Sequence, residues 1–402
     1  MVNHTYPRRQ SPTERQLGFL RRDFVTVFGL AALGLPLLEA CGSASGRPAK
    51  AADDGGATVG AQPRVRASQA ASPGRGVQRT SFPITAVGIT WTGSPRGVRL
   101  RFIDRKGQPG AWQAVGAGCP CGKDPAPGTV RTKSATPPNR ALVPAQGSYG
   151  YQLDVDFGVE VIEAIAIDAG SGSKYRPSPS KSAAAKTPDA SGTAPAFPPS
   201  GVVLRADWGA DEAKRFTADG SESSPTRFTE AQMVTVHHTA TPMDDPDPAA
   251  TIRAIYEQHA VSNEWGDIGY HFLIDSRGTI YEGRFSGTDG IPAHNARDEV
   301  VTGFHTFGFN PGNIGIALLG DFSKEKPTSR MHGSLVELTA SLAARHKLDP
   351  LTDITYTSPT SGKSTGGPAL GGHRDWTSTE CPGSAAYLDL SAVRERTAHL
   401  AR

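Results

Sequence analysis

The sequence is short of apolar residues, of cysteine and of any concentration of charge. Hydrophobic residues fill 37% of the 402 positions, whereas Gly 46 and Pro 32 are numerous, which indicates that part of the chain lies outside folded cores. Charge is nearly balanced, with 42 Lys+Arg against 39 Asp+Glu, and no basic stripe carries interleaved aromatic residues. These features argue against a nucleic-acid-binding protein. The length predicts two domains with additional tails.

Four cysteines are too few for a disulfide framework, and none of them belongs to a C-x-x-C motif. Cys119 and Cys121 flank a proline in GCPCG, and the sequence leaves open whether they pair with each other. Cys381 lies far downstream, in a loop rich in Gly, Ser, Thr and Pro. Its chemistry therefore has to be judged from its neighbours.

The apolar run near the N-terminus is shorter than the ~20 residues that a membrane-spanning helix needs. Arg21 and Arg22 precede it, and paired arginines before a short apolar region resemble a twin-arginine export signal. Residues 38–41 (LEAC) resemble a lipobox in which Cys41 is lipidated. We therefore expect residues 1–41 to direct export to the cell envelope or the extracellular space. A lipidated Cys41 would anchor the protein to the outer face of the cytoplasmic membrane.

Composition divides the remaining chain into two linkers and two folded segments. Residues 42–79 and 171–200 are rich in Ala, Ser, Pro and Gly without apolar periodicity, which is typical of disordered tethers. Residues 80–170 contain short apolar runs such as FPITAVGITW and VEVIEAIAID, which predict a small all-β domain, for example a sandwich. Residues 201–402 alternate strand runs with helical patterns. They predict an α/β domain with a mixed central sheet flanked by helices.

Two adjacent histidines in an apolar strand are the first chemical signal. VTVHHTAT (234–241) reads as a buried strand, and because side chains alternate faces, only one of His237 and His238 can point at a given site. His373 and Cys381 lie eight residues apart in GGHRDWTSTECPG. Two imidazoles and a thiolate would make a three-ligand zinc site whose fourth position stays open for water. Taken singly, each residue is more often a buried structural side chain, so spacing alone does not decide between the two interpretations.

Seven short motifs follow one another through the second half of the chain. They are RADWGA, VHHTA, WGDIGYHFLI, IYEGR, GFHTFGFN, NIGIALLGDF and GHRDW with TECPG. Their order resembles that of the zinc-dependent N-acetylmuramoyl-L-alanine amidases that share a fold with peptidoglycan recognition proteins. The resemblance covers residues 201–402. It implies the fold, the cofactor and the site residues that follow.

The resemblance implies one Zn²⁺ ion held by His237, His373 and Cys381. It also implies two catalytic residues, Tyr270 and Thr379. A phenol beside the metal can donate a hydrogen bond to the oxyanion that develops on the attacked carbonyl. Thr379 stands where relatives carry Lys or Thr, and its hydroxyl can assist without offering a charge.

The resemblance also implies a substrate side of the site formed by His305, Asn310, Arg284 and Trp208. His294 in PAHNAR competes with His305 for the role of the substrate-side histidine. The longer match around GFHTFGFN favours His305. His238, on the opposite face of the strand from His237, is expected to pack and form hydrogen bonds.

The implied reaction is hydrolysis of the amide that joins N-acetylmuramic acid to L-alanine in peptidoglycan, and export agrees with this partner. Three alternatives stay open: a peptidoglycan-binding receptor without activity, a zinc peptidase that cuts within the stem peptide, and a wall clamp serving the β-domain. Binding-only members of the family typically lose the cysteine, so the presence of Cys381 and Tyr270 favours the enzyme. We expect the β-domain to bind the wall or to act as a spacer.

Overall fold

The computed structural model describes residues 65–71, 73–118, 121–124, 138–170 and 195–402. The predicted export signal with Cys41 lies outside these residues. So do Cys119 and residues 171–194 of the predicted linker. Among the residues described, no helix has the length and apolar character needed to cross a membrane.

The first folded segment is a six-stranded antiparallel sheet in the order β1-β6-β2-β5-β3-β4. Its strands are β1 (Arg66–Ala71), β2 (Gln78–Thr92), β3 (Val98–Ile103), β4 (Gln113–Val115), β5 (Asn139–Val155) and β6 (Glu160–Asp168). The prediction of a small all-β domain is confirmed. Within the residues described, the strands belong to one sheet rather than to the two facing sheets of a sandwich.

The β-domain begins earlier than the sequence predicts, because β1 lies inside the predicted tether 42–79. Its sequence RASQAA has no apolar alternation and is almost entirely exposed. It is held as an edge strand by pairing with β6 and by the ion pair between Arg66 and Asp168. An exposed edge strand buries too little to leave a periodic signal in the sequence.

The second segment is built on a five-stranded sheet in the order β10-β9-β12-β8-β15. Its elements are α1 (Arg205–Trp208), β7 (Phe228–Thr229), β8 (Met233–His238), α2 (Pro248–Glu257), β9 (Phe272–Ile274), β10 (Ile280–Glu282), β11 (Val300–Val301), β12 (Asn313–Leu318), α3 (Ser329–His346), β13 (Asp353–Thr357), β14 (Ser364–Pro368), β15 (Leu370–Gly372) and α4 (Ser384–Leu400). Strands β9, β12, β8 and β15 pair in parallel, and β10 pairs antiparallel to β9. The predicted mixed sheet with flanking helices is confirmed.

Side chains that alternate along the central strands divide the second segment into two cores. Val234 and Val236 of β8 belong to the core that contains residues of α3 and α4. Leu273 of β9 and Ala317 of β12 belong to the other core, which contains residues of α2 and also Tyr270. Since His237 follows Val236 in β8, its side chain points to the face of the sheet that α2 covers.

The flanking helices begin where the sequence supplies caps. Asp247 accepts a hydrogen bond from the Ala250 amide at 3.1 Å, and Pro248 occupies the first turn of α2. Thr328 accepts from the Met331 amide at 3.2 Å at the start of α3. Side-chain caps satisfy amides that have no partner within the helix, and proline is tolerated in the first turn for the same reason.

The six-stranded sheet of the β-domain packs against α2 and against the π-helical turn Gln258–Ser262 that follows this helix. Arg253 of α2 is buried and donates to the carbonyls of Ala169 and Gly170 at 2.8 and 2.9 Å. Gln258 donates to the Ala141 carbonyl at 2.9 Å. A β-carbon at Gly88 would lie 2.8 Å from Nε2 of Gln258, so glycine is required for this approach. The two folded segments therefore share a buried interface.

Candidate metal and substrate site

Parallel pairing brings the two predicted histidine ligands together. β15 runs parallel to β8 with Gly372 opposite Val236, so the next residues, His373 and His237, meet at the carboxyl ends of the two strands. Their ring centroids lie 4.6 Å apart. The carboxyl ends of parallel strands are a common place for a site, because the loops that follow them are free to carry functional groups.

The loop after β15 returns Cys381 to the same point. Its Sγ lies 3.7 Å from Nδ1 of His237, and it accepts a hydrogen bond from the His238 amide at 3.4 Å. The Arg374 amide donates to the Cys381 carbonyl at 3.1 Å and closes the loop. Burial raises the pKa of the Cys381 thiol to about 12, and only the His238 amide and Arg374 oppose this effect. A nearby cation would favour the thiolate.

Hydrogen bonds behind His237 determine which of its ring nitrogens carries the proton. Nε2 of His305 faces the Asn313 carbonyl at 3.0 Å and must therefore be the protonated nitrogen. Nδ1 of His305 is then an acceptor, and it lies 3.0 Å from Nε2 of His237, which must donate. Nδ1 of His237 keeps its lone pair on the side of Cys381. A metal-binding histidine is commonly fixed in this way through its second nitrogen.

The protonation states of the cluster suit a metal ion. Burial is the main cause that lowers the pKa of His237 well below its ordinary value, and it lowers those of His305 and His373 to about 3. All three imidazoles are therefore neutral at pH 7, which is the form that coordinates a metal. Two neutral imidazoles and one buried thiol form the nitrogen and sulfur donor set that zinc prefers. The residues fit the implied ion.

Tyr270 lies beside this cluster, with its ring centroid 5.4 Å from that of His237. Burial, and to a smaller extent the charge of Cys381, raises the pKa of its phenol. The hydroxyl therefore keeps its proton and is available as a hydrogen-bond donor. Its neighbour is the Sγ atom of Cys121, at 3.7 Å.

Thr379 forms a hydrogen bond within the loop that carries Cys381. Its Oγ1 accepts a hydrogen bond from the Cys381 amide at 3.2 Å, and its side chain is half-buried. The hydroxyl thus fixes the backbone from which the thiol projects. Its predicted catalytic role stays a prediction.

Two residues predicted on the substrate side, His305 and Trp208, are fully buried in this conformation, and their predicted contact with substrate stays a prediction. Both ring nitrogens of His305 are occupied by His237, Asn313 and Thr306. A β-carbon at Gly315 would lie 2.5 Å from Cγ of His305, so the ring packs directly on the β12 backbone. In this conformation His305 orients His237 through the hydrogen bond between their rings.

Trp208 is the second of these residues. It is fully buried, its indole N–H donates to the Glu282 carbonyl at 2.7 Å, and its ring meets that of Tyr256 edge to face. A tryptophan whose only polar atom is satisfied inside the core serves packing rather than recognition. The predicted contact of Trp208 with substrate stays a prediction.

Arg284 and Asn310, the other two residues predicted on the substrate side, are also buried. The Arg284 guanidinium lies 4.1 Å from the ring centroid of Phe304 and donates to the Ile268 carbonyl at 3.2 Å. The Asn310 side chain accepts from the amides of His305 and Thr306 at 2.8 Å and presents its Nδ2 on the other side. Their predicted contact with substrate stays a prediction.

The remaining histidines of the motifs occupy structural positions. His238 accepts a hydrogen bond from the Phe322 amide at 3.3 Å and lies 3.8 Å from the Asp321 carboxylate. Nε2 of His294 lies 2.8 Å from Nε2 of His346, and the two rings stack. His294 is therefore the less suitable of the two candidates that the sequence offered beside the metal ligands.

One part of the site was missed by sequence reasoning because it comes from the β-domain. Cys121, His237 and His373 offer ligand atoms that all lie within 4.8 Å of one another. Cys121 is disulfide-bonded, and its partner lies outside the described residues. The motif GCPCG was visible in the sequence, but nothing in it indicated contact with residues more than 100 positions downstream.

Comparisons with known proteins identify the family to which the second segment is similar. Residues 227–384 match the family model described as N-acetylmuramoyl-L-alanine amidase. The chain is 30% identical over 191 residues to peptidoglycan-recognition protein SC1a/b of Drosophila simulans, which covers 47% of this chain and 83% of the relative. It is 31% identical over 156 residues to the N-acetylmuramoyl-L-alanine amidase of Homo sapiens, over 38% of this chain and 22% of that one.

Among solved structures, wild-type Drosophila PGRP-LB is similar at 28% identity with a TM-score of 0.35, covering 48% of this chain and 92% of that one. The residues matched by the family model include His237, His373 and Cys381. The chain belongs to the family of peptidoglycan-recognition proteins and N-acetylmuramoyl-L-alanine amidases.

Proposed function

We propose that the second folded segment is a zinc-dependent amidase that cleaves the bond between N-acetylmuramic acid and L-alanine in peptidoglycan. The observation that supports this most strongly is the meeting of two neutral imidazoles and a buried thiol beside the hydroxyl of Tyr270. A receptor that only bound peptidoglycan would gain nothing from burying this donor set, because buried polar groups cost free energy unless they are paired.

Each residue has a distinct part in the proposed reaction. His237, His373 and Cys381 hold the zinc ion, which when bound supplies Lewis acidity and an activated water near neutral pH. Through its hydrogen bond, His305 keeps Nδ1 of His237 unprotonated. Tyr270 donates its hydroxyl proton in a hydrogen bond to the oxyanion that forms on the attacked carbonyl.

The N-terminal sequence supports a location on the side of the membrane where the wall lies. We propose that residues 1–41 direct export and that Cys41 is lipidated, which would anchor the protein to the outer face of the cytoplasmic membrane. A shift in mass and in detergent partitioning after Cys41→Ala would test the anchor independently of the enzyme.

The reaction is tested by mass spectrometry of purified muropeptides incubated with the full chain and zinc. Release of the free stem peptide and a lactyl-bearing sugar is the expected result. Zinc content, measured by plasma mass spectrometry, should be close to one ion per chain.

Cys381→Ser is the informative variant, and Ser378→Ala is its control because Ser378 is an exposed residue of the same loop. The first should lose zinc and activity, and the second should keep both. Cleavage within the stem peptide would change the bond but keep the hydrolase. Binding of muropeptide without cleavage by the zinc-loaded parent would overturn the enzyme in favour of a receptor.

A further inference from the structure

Four residues of the β-domain lie against the candidate site of the second segment. Residues 121–124 (CGKD), here called the docking segment, end in Asp124. The Asp124 carboxylate accepts hydrogen bonds from the Gly308 amide at 2.6 Å, the Asn310 amide at 3.3 Å and Nδ2 of Asn310 at 2.7 Å. Three donors converging on one carboxylate make a site for an anionic group.

The other residues of the docking segment are also held by the second segment. Nδ2 of Asn310 donates to the Gly122 carbonyl at 2.8 Å. Nζ of Lys123 donates to the Glu264 carbonyl at 2.6 Å. The docking segment is thus bound along its length, as a short extended peptide would be.

Cys121 of the docking segment lies against two of the proposed metal ligands, because its Sγ and a ring nitrogen of each of His237 and His373 lie within 4.8 Å of one another. His237 and His373 are 0% exposed and Cys381 is 1% exposed. Cys121 and Tyr270 also line a cavity of about 40 Å³. A single water takes about 30 Å³ of liquid volume, and pockets for larger ligands begin near 300 Å³. This cavity is too small for a muramyl peptide, and the proposed ligand side chains are closed to solvent in this conformation.

Burial in this contact disfavours the charged forms of both Lys123 and Asp124. Burial lowers the pKa of Lys123, and the neighbouring charge of Arg284 lowers it further. Burial also raises the pKa of Asp124, although its hydrogen bonds from residues 308 and 310 counteract the shift. Burial of these two charges costs free energy, and a ligand that carries a matching carboxylate can compete for the donors that hold Asp124.

We propose that the docking segment is an internal competitive ligand: Asp124 occupies a subsite for a carboxylate of the substrate peptide, and Cys121 blocks the approach to the metal ligands until substrate displaces both. This inference rests on the proposed function for its substrate. It adds that the protein is latent, and that peptide carboxylates bind at Gly308 and Asn310.

The test is a binding measurement on the full chain that does not depend on catalysis. The probe is a muramyl tripeptide whose scissile amide is replaced by a methyleneamine, and its affinity is measured by calorimetry. Asp124→Ala should bind the probe about 10- to 100-fold more tightly than the parent, since a site that is open only 1–10% of the time loses that factor in apparent affinity. Asp156→Ala is the matched control, because Asp156 is an exposed acidic residue in the turn after β5.

Unchanged or weaker binding by a folded Asp124→Ala, with folding checked by near-ultraviolet circular dichroism, would overturn the internal ligand. A second measurement needs no variant. In stopped-flow experiments on the parent, the observed binding rate should reach a ceiling set by release of the docking segment. A rate that rises linearly with probe concentration would contradict the proposal. Tighter binding by Asp124→Ala without any muropeptide cleavage would support the internal ligand and reject the amidase, so the two failures can be distinguished.

Discussion

The two folded segments bury different kinds of residue. Among the described residues of the β-domain, the only buried polar side chains are Thr90 and Asp168. The second segment buries seven histidines, which are His237, His238, His259, His271, His294, His305 and His373. Burial of a polar group costs free energy unless a partner compensates for it. The first core is therefore a structural support, and the second retains polar groups that a function can explain.

The β-domain is not only a structural support, because it also contacts the candidate site of the second segment. The β-domain contributes to the site through the docking segment, which lies outside its regular strands. A structurally simple domain can thus contribute residues to a neighbouring segment through one loop, because loops tolerate sequence change without loss of the core.

The largest effect is expected for Tyr270→Phe, which removes the buried phenol hydroxyl of the tyrosine beside His237. If this hydroxyl stabilises the oxyanion, kcat for muropeptide cleavage should fall by about 10²- to 10³-fold. Zinc content should stay unchanged, because the phenol is not one of the three ligands. Steady-state kinetics and metal analysis on the same sample check both points.

Tyr281→Phe is the control for this variant. Tyr281 is another buried phenol, whose hydroxyl donates to the Asp275 carboxylate at 3.0 Å. Its loss should lower thermal stability and leave kcat within a few-fold of the parent. Equal losses of kcat in both variants would show that Tyr270 serves only the core.

Arg253→Met is expected to weaken the interface between the two segments. The substitution removes hydrogen bonds to the carbonyls of Ala169, Gly170 and Trp208 and keeps most of the side-chain volume. We expect a loss of roughly 2–4 kcal/mol in the free energy of unfolding, because buried carbonyls are left unpaired. Urea denaturation followed by tryptophan fluorescence measures it. The exposed Arg297→Met should change stability by less than about 0.5 kcal/mol.

His305→Ala tests whether His305 orients the proposed metal ligand His237. Loss of its hydrogen bond to His237 should lower zinc affinity by about 10- to 100-fold, as is typical when a residue that orients a ligand is removed. Competition with a chromogenic chelator gives the affinity. His399→Ala, at an exposed position on α4, should bind zinc as the parent does. Unaltered affinity in His305→Ala would favour a purely structural histidine.

The smallest effect is expected for the pH dependence of stability that comes from the pair of His294 and His346, which contact each other. Burial lowers the pKa of both from 6.5 to about 4. The unfolded chain therefore binds more protons in this range, and stability that is complete above pH 6.5 should decline as the pH falls toward 4. His346→Gln should make the decline shallower in thermal melts between these values, whereas His399→Gln should leave its slope unchanged.

Local patterns were sufficient to predict the main elements of the second segment. Alternation in VTVHHT predicted β8, and helical spacing predicted α2 and α3. α4 was missed because its apolar residues are too weakly segregated to one face to give a periodic signal. The edge strand β1 was missed because it buries almost nothing.

The sequence by itself determined the alternation that separates His237 from His238 and, through its ordered motifs, the set of candidate ligands. Only the tertiary structure decided that His305 supports His237, that Trp208 fills the core, and that Asp124 meets Gly308 and Asn310. These contacts join residues far apart in the chain. They depend on how the sheets and helices pack, and local sequence patterns carry no information about such distances.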